Sequence, residues 1–372
     1  MKVVFAPDSY KGSLSSMEVA ETMDKAFQSV NPQVETILKP MADGGEGTLG
    51  AFSKAVSHEK VHFSCTGPMG ESRDSWYLIL DRNRAVIEGA VIAGLPLVAE
   101  EKRNPDNTTS YGIGEAIKHA LDHGCTDILV AIGGSSTNDG GLGMLQALGM
   151  KAYSQDGKEA DIYGRDVHSI KAIDFSTLDH RLEEVTIRVA SDVDNPLTGK
   201  NGASYVYGPQ KGATEAQVVT YDHALENYGK LVEIACGKSI MEVPGAGAAG
   251  GLGFAFLSIG ATLQSGAKLV AEAIHLDEDI QQADYVITGE GQSDAQTLFG
   301  KAPGYVADLA NKYKKPVILI SGGLGEEYTQ LNTVFTSCFS ITPAPTLLED
   351  SLKNAEDYLF QTTVQIARLL SI

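Results

Sequence analysis

Short apolar runs and amphipathic stretches alternate at the amino end of the chain. The run Lys2–Ala6 predicts a first strand, and Val34–Lys39 predicts a second one. Between them, Ser15 and Glu18 have the spacing of a helix capping box, and apolar residues then recur at helical intervals. Strand, helix and strand in this order predict a parallel α/β sheet.

The carboxyl end repeats this alternation. We predict strands over Tyr285–Thr288, Pro316–Ser321 and Val334–Ser337, with a helix over Gly304–Tyr313 between the first two. The amphipathic stretch Leu348–Leu370 predicts a closing helix. Two strands from the amino end and three from the carboxyl end would form a five-stranded parallel sheet of the flavodoxin type.

The middle of the chain has a different pattern. Residues 60–90 alternate between apolar and polar positions, which is typical of antiparallel strands. Helices are predicted over Tyr111–His123 and Glu215–Cys236, and buried strands over Asp127–Ile132 and Thr186–Ala190. The middle therefore predicts a sheet of its own, with mixed strand directions.

These patterns predict an α/β protein with two α/β lobes. A flavodoxin-like parallel-sheet domain, made of residues 1–60 and 275–372, is interrupted by an inserted mixed α/β domain of residues 61–274. We expect the active site to lie in the cleft between the two lobes.

Composition narrows the class of protein. A hydrophobic content of 43% and a charged content of 21% are ordinary globular values. The net charge of −19 argues against nucleic acid or an anionic membrane as a partner, and no stretch reaches the ~18 apolar residues of a membrane span. The amino end lacks signal-peptide features, and the four cysteines are widely separated. We expect a cytoplasmic monomer or homodimer that acts on a small molecule.

Glycine is the compositional outlier, with 40 residues against a typical content of about 7%. Many of these glycines lie beside Asp, Ser or Thr in loops that follow predicted strands, where open α/β sheets bind ligands. Their backbone N–H groups can converge on an anion, and the carboxylates can hold Mg²⁺ or accept a proton. Taken singly, each loop has an alternative interpretation as an ordinary turn.

Common nucleotide-binding motifs do not match. The pair Gly300–Lys301 is followed by Ala302 and lacks the earlier glycine of a P-loop. A G-x-G-x-x-G pattern begins at Gly245, but the residues before it form a poor strand, so a dinucleotide site is not predicted.

Seven motifs, in order and over essentially the whole chain, resemble the bacterial glycerate kinase family, that of the glycerate 2-kinases. They are APDSYKGS (Ala6–Ser13), PMADGGEGT (Pro40–Thr48), GGSSTNDGG (Gly133–Gly141), SDVDNPLTGKNGA (Ser191–Ala203), GPQKGA (Gly208–Ala213), PGAGAAGGLG (Pro244–Gly253) and TGEGQSDAQTLFGKAP (Thr288–Pro303).

The resemblance implies transfer of a phosphoryl group from ATP to D-glycerate, giving 2-phosphoglycerate. It also implies the two-lobe architecture. Two positions depart from the pattern expected of the family: Ser136 stands where alanine is expected, and Gln292 stands where a basic residue is expected. The second departure would alter phosphate affinity.

Residue roles follow from the chemistry of phosphoryl transfer, which needs cations over the phosphates, an acceptor hydroxyl in line and a carboxylate near its proton. We predict Asp192 as the base, with Asp8, Asp43 and Asp194 as alternatives. The predicted catalytic residues are Asp192, Asp8, Lys11 and Asp43.

The remaining predicted site residues supply polar groups or close backbone approach. Residues predicted to bind glycerate are Ser9, Ser135, Thr137, Asn138, Asp139 and Lys211. Those predicted to bind ATP are Gly44, Gly45, Thr48, Gly247, Gly289, Gly291 and Lys301. Those predicted to hold Mg²⁺, directly or through water, are Asp43, Glu46, Glu290 and Asp294. For the three lysines, a solvated surface position is the alternative.

Two other functions remain open. The acceptor could be another small hydroxy acid or a sugar acid, because loops set acceptor choice. A non-catalytic module that binds a phosphorylated metabolite is the alternative from another class. Two observations argue against such a module. The sequence has no basic helix of the kind that reads DNA, and the carboxylates in its loops are unsuited to a site that only binds an anion.

Overall fold

The computed structural model describes residues 1–81, 83–298 and 300–371. Its strands are β1 (Lys2–Phe5), β2 (Glu35–Leu38), β3 (Glu59–Thr66), β4 (Ser72–Leu80), β5 (Arg84–Glu88), β6 (Asp127–Ala131), β7 (Lys151–Ser154), β8 (Ile170–Asp174), β9 (Thr186–Ala190), β10 (Thr262–Gln264), β11 (Tyr285–Thr288), β12 (Gln292–Ser293), β13 (Val317–Ser321), β14 (Gly323–Leu324) and β15 (Ser337–Ser340).

The helices are α1 (Ser16–Val30), α2 (Thr48–Ala55), α3 (Ala90–Ala93), α4 (Tyr111–Asp122), α5 (Leu142–Ala147), α6 (Ala203–Tyr207), α7 (Glu215–Cys236), α8 (Ala248–Ser258), α9 (Gly266–Ala273), α10 (Leu276–Gln282), α11 (Ala302–Lys312), α12 (Leu348–Lys353) and α13 (Ala355–Leu370). Short 3₁₀ turns connect several of them. Within the described ranges, no helix combines the length and the apolar character that crossing a bilayer requires.

The chain divides into two compact units. Unit 1 consists of residues 1–43, 50–57 and 265–372, and unit 2 of residues 44–49 and 58–264.

Unit 1 is built on a parallel sheet with strand order β15-β13-β11-β1-β2. Two strands come from the amino end and three from the carboxyl end, in the order of a flavodoxin-type sheet. The sheet core includes Val3, Phe5, Ile287 and Ile320, and the ring of Phe5 meets that of Phe27 on α1 edge-on at 5.2 Å. The predicted flavodoxin-like sheet is confirmed.

Unit 2 contains a six-stranded mixed sheet with strand order β10-β9-β6-β5-β4-β3. The strands β3, β4 and β5 are antiparallel, as the alternation in residues 60–90 predicts, and β5, β6, β9 and β10 are parallel. A separate antiparallel hairpin, β7–β8, lies between β6 and β9 in the chain. The predicted mixed α/β class of this part is confirmed.

Two element predictions at the carboxyl end are wrong in detail. The strand predicted over Val334–Ser337 is β15, which begins only at Ser337. The backbone N–H groups of Val334 and Phe335 are bonded to the Leu331 carbonyl at the end of a 3₁₀ turn, at 3.0 and 2.9 Å, so they cannot enter the sheet.

The single helix predicted over Leu348–Leu370 is two helices, α12 and α13. They meet at Asn354, whose backbone has φ −104° and ψ 13°. Its side-chain Nδ2 donates to the Asp350 carbonyl at 2.8 Å, which caps the end of α12.

Candidate active site

Four loops of unit 1 leave the carboxyl ends of neighbouring parallel strands. Asp8 follows β1, Asp43 follows β2, Glu290 follows β11, and Gly322 follows β13. Backbone hydrogen bonds tie the loops together, since the N–H of Asp8 donates to the Gly289 carbonyl at 2.8 Å. The parallel sheet therefore gathers these side chains at one edge, where open α/β sheets bind ligands.

These loops surround a cavity of about 480 Å³, a size ordinary for a small-molecule pocket. Its charged end is formed by Asp8, Lys11, Asp43, Glu290 and Lys301. We call this cavity the unit 1 pocket; it is lined by Asp8, Ser9, Tyr10, Lys11, Ser13, Asp43, Glu290, Gly291, Gln292, Lys301, Gly322, Gly323, Ile341, Thr342, Leu348, Ser351, Leu352 and Ala355.

The carboxylates at the charged end influence one another. Burial raises the pKa of Asp8 to about 7, and the nearby charge of Asp43 adds to that increase. Lys11 Nζ lies 2.9 Å from Asp43 Oδ2. Burial disfavours the charged form of Lys11, but the carboxylates of Asp43, Asp8 and Glu290 outweigh it and raise the pKa of Lys11. A cation at this end would relieve the repulsion between the carboxylates.

Glu290 is held by the loop that contains it. Its Oε1 accepts hydrogen bonds from Thr297 Oγ1 at 2.6 Å and from Ser293 Oγ at 3.1 Å. Its Oε2 lies 3.3 Å from Lys301 Nζ. Lys301 is also the N-cap of α11, so the positive end of that helix dipole faces the same loop. This end of the unit 1 pocket combines two ammonium groups with a helix N-terminus.

In unit 2, the loop of residues 133–141 follows β6 and is organised around Asp139. The Asp139 carboxylate is fully buried and accepts hydrogen bonds from Ser110 Oγ at 2.6 Å, from the Ser110 N–H at 3.1 Å, and from the N–H groups of Gly141 and Gly143 at 3.0 and 3.3 Å. A buried carboxylate with four donors is a structural anchor for the loop.

Lys211 reaches this loop from the 3₁₀ turn Pro209–Lys211. Only 2% of its surface is exposed, and its Nζ donates to the Thr137 carbonyl at 2.6 Å and to Ser135 Oγ at 3.0 Å. Burial lowers the pKa of Lys211 to about 7, although the charge of Asp139 opposes that decrease. Neither of its hydrogen-bond acceptors in the described part of the chain is a carboxylate.

Two buried polar atoms beside Lys211 have no hydrogen-bond partner within the described ranges. They are Thr137 Oγ1 and Asn138 Oδ1. The Asn138 amide is otherwise anchored, because its Nδ2 donates to Ser204 Oγ at 3.0 Å. Thr137 Oγ1 can donate or accept a hydrogen bond, and Asn138 Oδ1 can only accept one. Beside the buried ammonium group, they suit a small anion that also carries hydroxyl groups.

A second loop of unit 2, residues 44–49, is held by Glu88 at the end of β5. Glu88 Oε1 accepts from the Gly47 N–H at 3.0 Å, and Oε2 accepts from the Leu49 N–H at 2.8 Å. Burial raises the pKa of Glu88, and these two donors partly oppose the rise. The loop also touches the loop after β6, where a Cβ on Gly133 would lie 2.6 Å from the Gly45 Cα.

Comparison with known proteins decides the family. The profile of the glycerate kinase family matches residues 3–371. The glycerate 2-kinase of Escherichia coli (strain K12) is 44% identical over 375 residues, which cover 100% of this chain and 98% of that protein. The glycerate kinase of Haemophilus influenzae is also 44% identical, with coverage of 100% and 99%. A crystal structure of a protein assigned as glycerate kinase 2 from Salmonella typhimurium LT2 superposes with a TM-score of 0.88 at 43% identity, covering 100% of this chain and 98% of that one.

The chain belongs to the glycerate kinase family. The resemblance carried by the seven motifs is confirmed, and so is the prediction of an enzyme of this kinase class. One motif residue, Phe299, lies outside the described residues.

Most of the predicted site residues of this family member fall into three groups. The unit 1 pocket brings together Asp8, Ser9, Lys11, Asp43, Glu290, Gly291 and Lys301. In unit 2, hydrogen bonds join Ser135 and Thr137 to Lys211, and Asn138 and Asp139 lie in the same loop. Gly44, Gly45, Glu46 and Thr48 belong to the loop that Glu88 holds.

Four further predicted residues, Asp192, Gly247, Gly289 and Asp294, are not among those that line the unit 1 pocket. Asp192 is exposed in the loop after β9, the neighbour of β6 in the sheet. The N–H of Gly247 is bonded to the Asn195 carbonyl at 2.8 Å. Gly289 lies against the Ile320 carbonyl, and Asp294 Oδ1 caps its own turn by accepting from the Gln296 N–H at 2.8 Å.

Metal binding has a limited set of donors. Among residues 1–81, 83–298 and 300–371, no group of three or more His, Cys, Asp or Glu side chains is arranged to hold an ion. Any metal site here would therefore draw on fewer protein carboxylates, with other ligands completing the shell.

Glu88 is the site residue that the sequence patterns do not reveal. It occupies an apolar strand in AVIEGA, and its partners lie about forty positions earlier in the chain. The available signal is its charge, because a glutamate at a buried strand position requires a hydrogen-bonding partner.

Proposed function

We propose that this member of the glycerate kinase family transfers the γ-phosphoryl group of ATP to the O2 hydroxyl of D-glycerate and releases 2-phosphoglycerate. Its proposed location is the cytoplasm. The observation that carries the proposal is the buried Lys211, which lies beside unpaired polar atoms and has no carboxylate among its hydrogen-bond acceptors within the described chain. Membership of the glycerate kinase family indicates glycerate as the anion that binds beside Lys211.

The acceptor binds in unit 2. The glycerate carboxylate pairs with Lys211, whose burial makes such a charged hydrogen bond strong. Ser135 Oγ and Thr137 Oγ1 donate to the carboxylate, and Asn138 Oδ1 accepts a hydrogen bond from a hydroxyl of glycerate. We reassign Asp139 from substrate contact to positioning, because its oxygens are already occupied by four donors of the protein.

Asp192 accepts the proton of the attacking hydroxyl in this proposal. Its loop leaves the same edge of the unit 2 sheet as the loop of residues 133–141, since β9 and β6 are adjacent and parallel. Asp8, Asp43 and Asp194 are the competing carboxylates. A general base in this position adds roughly 10²- to 10⁴-fold to the rate.

The phosphates of ATP bind at the charged end of the unit 1 pocket. Lys11 and Lys301 contact the phosphate oxygens, and the N–H of Gly291 and the N-terminus of α11 add neutral donors. Gly44, Gly45 and Thr48 stay predictions as phosphate contacts. Transfer then requires both ligands in one reacting complex, with the hydroxyl oxygen in line with the γ-phosphorus.

The donor set of the unit 1 pocket fits Mg²⁺. Asp43 and Glu290 offer hard oxygen ligands. Burial and then the charge of Asp43 raise the pKa of Asp8, and a bound cation would relieve the part that is due to repulsion. When bound there, the ion offsets negative charge on the phosphates. We keep Asp294 as a ligand through water, and two carboxylates with several waters are a usual shell for Mg²⁺. Glu46, which lies in unit 2, stays a prediction as a metal ligand.

A coupled assay of ADP release, run across a panel of small acids, tests this function. We expect turnover with D-glycerate and much weaker turnover with tartronate or sugar acids. Turnover restricted to another acid would replace the acceptor, and binding of glycerate without any ADP release would point to a non-catalytic module.

A further inference from the structure

The lining of the unit 1 pocket also includes a group of apolar residues, which we call its apolar end. It is formed by Ile341, Leu348, Leu352 and Ala355, with the hydroxyls of Thr342 and Ser351 beside them. Ile341 and Ala355 are buried, but Leu348 is 74% exposed and Leu352 is 36% exposed. Two leucines thus leave apolar surface in contact with water at the mouth of a charged pocket.

The apolar end is built into the same framework as the charged end. The Ile341 N–H donates to the Ser321 carbonyl at 2.9 Å, and Thr342 Oγ1 donates to the Gly322 carbonyl at 2.8 Å. On the other side, Leu352 lies over the loop after β1, where a Cβ on Gly12 would be 3.7 Å from a Leu352 methyl group. The two ends are therefore parts of one continuous cavity.

The charges that line the pocket limit the electrostatic attraction that a polyphosphate without a nucleoside would experience there. Three carboxylates, Asp8, Asp43 and Glu290, face two lysines, Lys11 and Lys301. A triphosphate meets little net attraction from this set, even before the net charge of −19 is considered. Binding energy for a nucleotide must then come partly from uncharged contacts, and the exposed leucines supply the apolar area.

We propose that the apolar end of the unit 1 pocket, formed by Ile341, Leu348 and Leu352, binds the nucleoside part of ATP while the charged end holds its phosphates. The inference rests on the proposed function for the identity of the nucleotide. A ligand that is flat and weakly polar at one end and highly charged at the other matches the two ends of this cavity.

The test compares two leucines that are adjacent in sequence and equally exposed. Leu348 lines the pocket and is 74% exposed, whereas Leu347 is 72% exposed and does not line it. The variants are Leu348→Ser, Leu352→Ser and, as the matched control, Leu347→Ser. Calorimetric titration in magnesium-containing buffer measures the binding of ADP and of inorganic tripolyphosphate, and thermal unfolding confirms that each variant folds.

We expect Leu348→Ser and Leu352→Ser to weaken ADP binding by roughly five- to tenfold, because each removes apolar contact with the base or ribose. Tripolyphosphate, which has no nucleoside, should bind all four proteins alike, and Leu347→Ser should match the wild type. ADP affinity that is unchanged in both pocket variants overturns the proposal. So does an equal loss of affinity for tripolyphosphate.

Because these titrations need no turnover, the two proposals fail separately. A wild type that binds ADP through Leu348 but never phosphorylates glycerate supports the nucleoside site and overturns the proposed function. If the wild type phosphorylates glycerate while Leu348→Ser and Leu352→Ser bind ADP normally, the proposed function is supported and the nucleoside site is overturned.

Discussion

Lys211 places an ammonium group where water cannot reach it. Within the described part of the chain, this ammonium group donates to a carbonyl and a hydroxyl oxygen, and the charge of the more distant Asp139 also stabilises it. Such an arrangement costs stability in the free protein and is relieved when a carboxylate binds. In the proposed function, substrate recognition and the pH dependence of folding are therefore linked at this residue.

The Lys211→Met variant tests that link through stability. The pKa of Lys211 falls from 10.5 to about 7 on folding, so between these values the unfolded chain binds more protons than the folded one. Stability contributed by this position therefore rises with pH across that window. We expect the wild type to gain on the order of 1–2 kcal/mol relative to Lys211→Met between pH 7 and pH 9.

Urea unfolding of both proteins at the two pH values measures the difference. Because Met removes the same hydrogen bonds at every pH, that loss cancels in the comparison. A stability difference that does not change with pH would show that Lys211 titrates as an ordinary lysine.

Asp192 is tested by Asp192→Asn, which keeps the shape of the side chain and removes its basicity. We expect kcat to fall by roughly 10²- to 10⁴-fold with little change in KM for glycerate. Asp194, exposed in the same loop, provides the comparison variant Asp194→Asn. Steady-state kinetics with normal kcat for Asp192→Asn and a large loss for Asp194→Asn would move the base to the second position.

Some of the contacts in the candidate site could be predicted from the motifs, and others could not. Ser135, Thr137 and Lys211 are candidates because polar residues in a glycine-rich loop suit anion binding, and the structure joins them by hydrogen bonds. The anchoring role of Asp139 depends on Ser110, which lies 29 positions away and enters through tertiary packing. Nothing in the local sequence of Asp139 distinguishes an anchor from a ligand.

At the scale of elements, Glu88 links the end of one strand to the start of a helix. Its carboxylate binds the N–H groups of Gly47 and Leu49 at the start of α2, which would otherwise be unpaired. The loop that it holds contains Gly45, which lies against Gly133. A single buried carboxylate thus fixes one loop and, through it, the contact with a second loop.

Replacement of Glu88 is expected to affect stability and catalysis together. Glu88→Ala leaves two donors without a partner and should lower the free energy of unfolding by about 1–3 kcal/mol. Glu88→Gln keeps one acceptor, so its free energy of unfolding should lie between those of the wild type and Glu88→Ala. kcat should fall in the same order, because residues 44–48 are then less well positioned. Chemical denaturation and steady-state assays check both effects.

The exposed Glu100 offers the control Glu100→Ala, which should resemble the wild type in both measurements. If Glu88→Ala proved as stable and as active as this control, Glu88 would have no role in holding the loop.

Element boundaries were predictable where the chain itself determines them. The capping box of Ser15 and Glu18 is present in the structure, and β9 and α7 have the predicted limits. Apolar periodicity alone could not locate the break at Asn354, because the pattern continues through it. The late start of β15 depends on a 3₁₀ turn, which has no periodic signal of its own.

For the whole molecule, the strand order of unit 1 was predictable from the alternation of strands and helices at the two chain ends. The glycine- and aspartate-rich loops then follow at the carboxyl ends of the strands in both units. The apolar end of the unit 1 pocket was not predictable, since it requires α12 to end at Asn354 and Leu352 to lie over Gly12. Long-range packing, rather than any motif, creates it.

Phosphorus NMR of the product formed from ATP and D-glycerate tests the central claim most directly. The proposed function predicts ADP together with the phosphate ester of 2-phosphoglycerate, in equal amounts and only when D-glycerate is present. A signal from 3-phosphoglycerate would contradict transfer to O2, and formation of inorganic phosphate without any ester would contradict a glycerate 2-kinase.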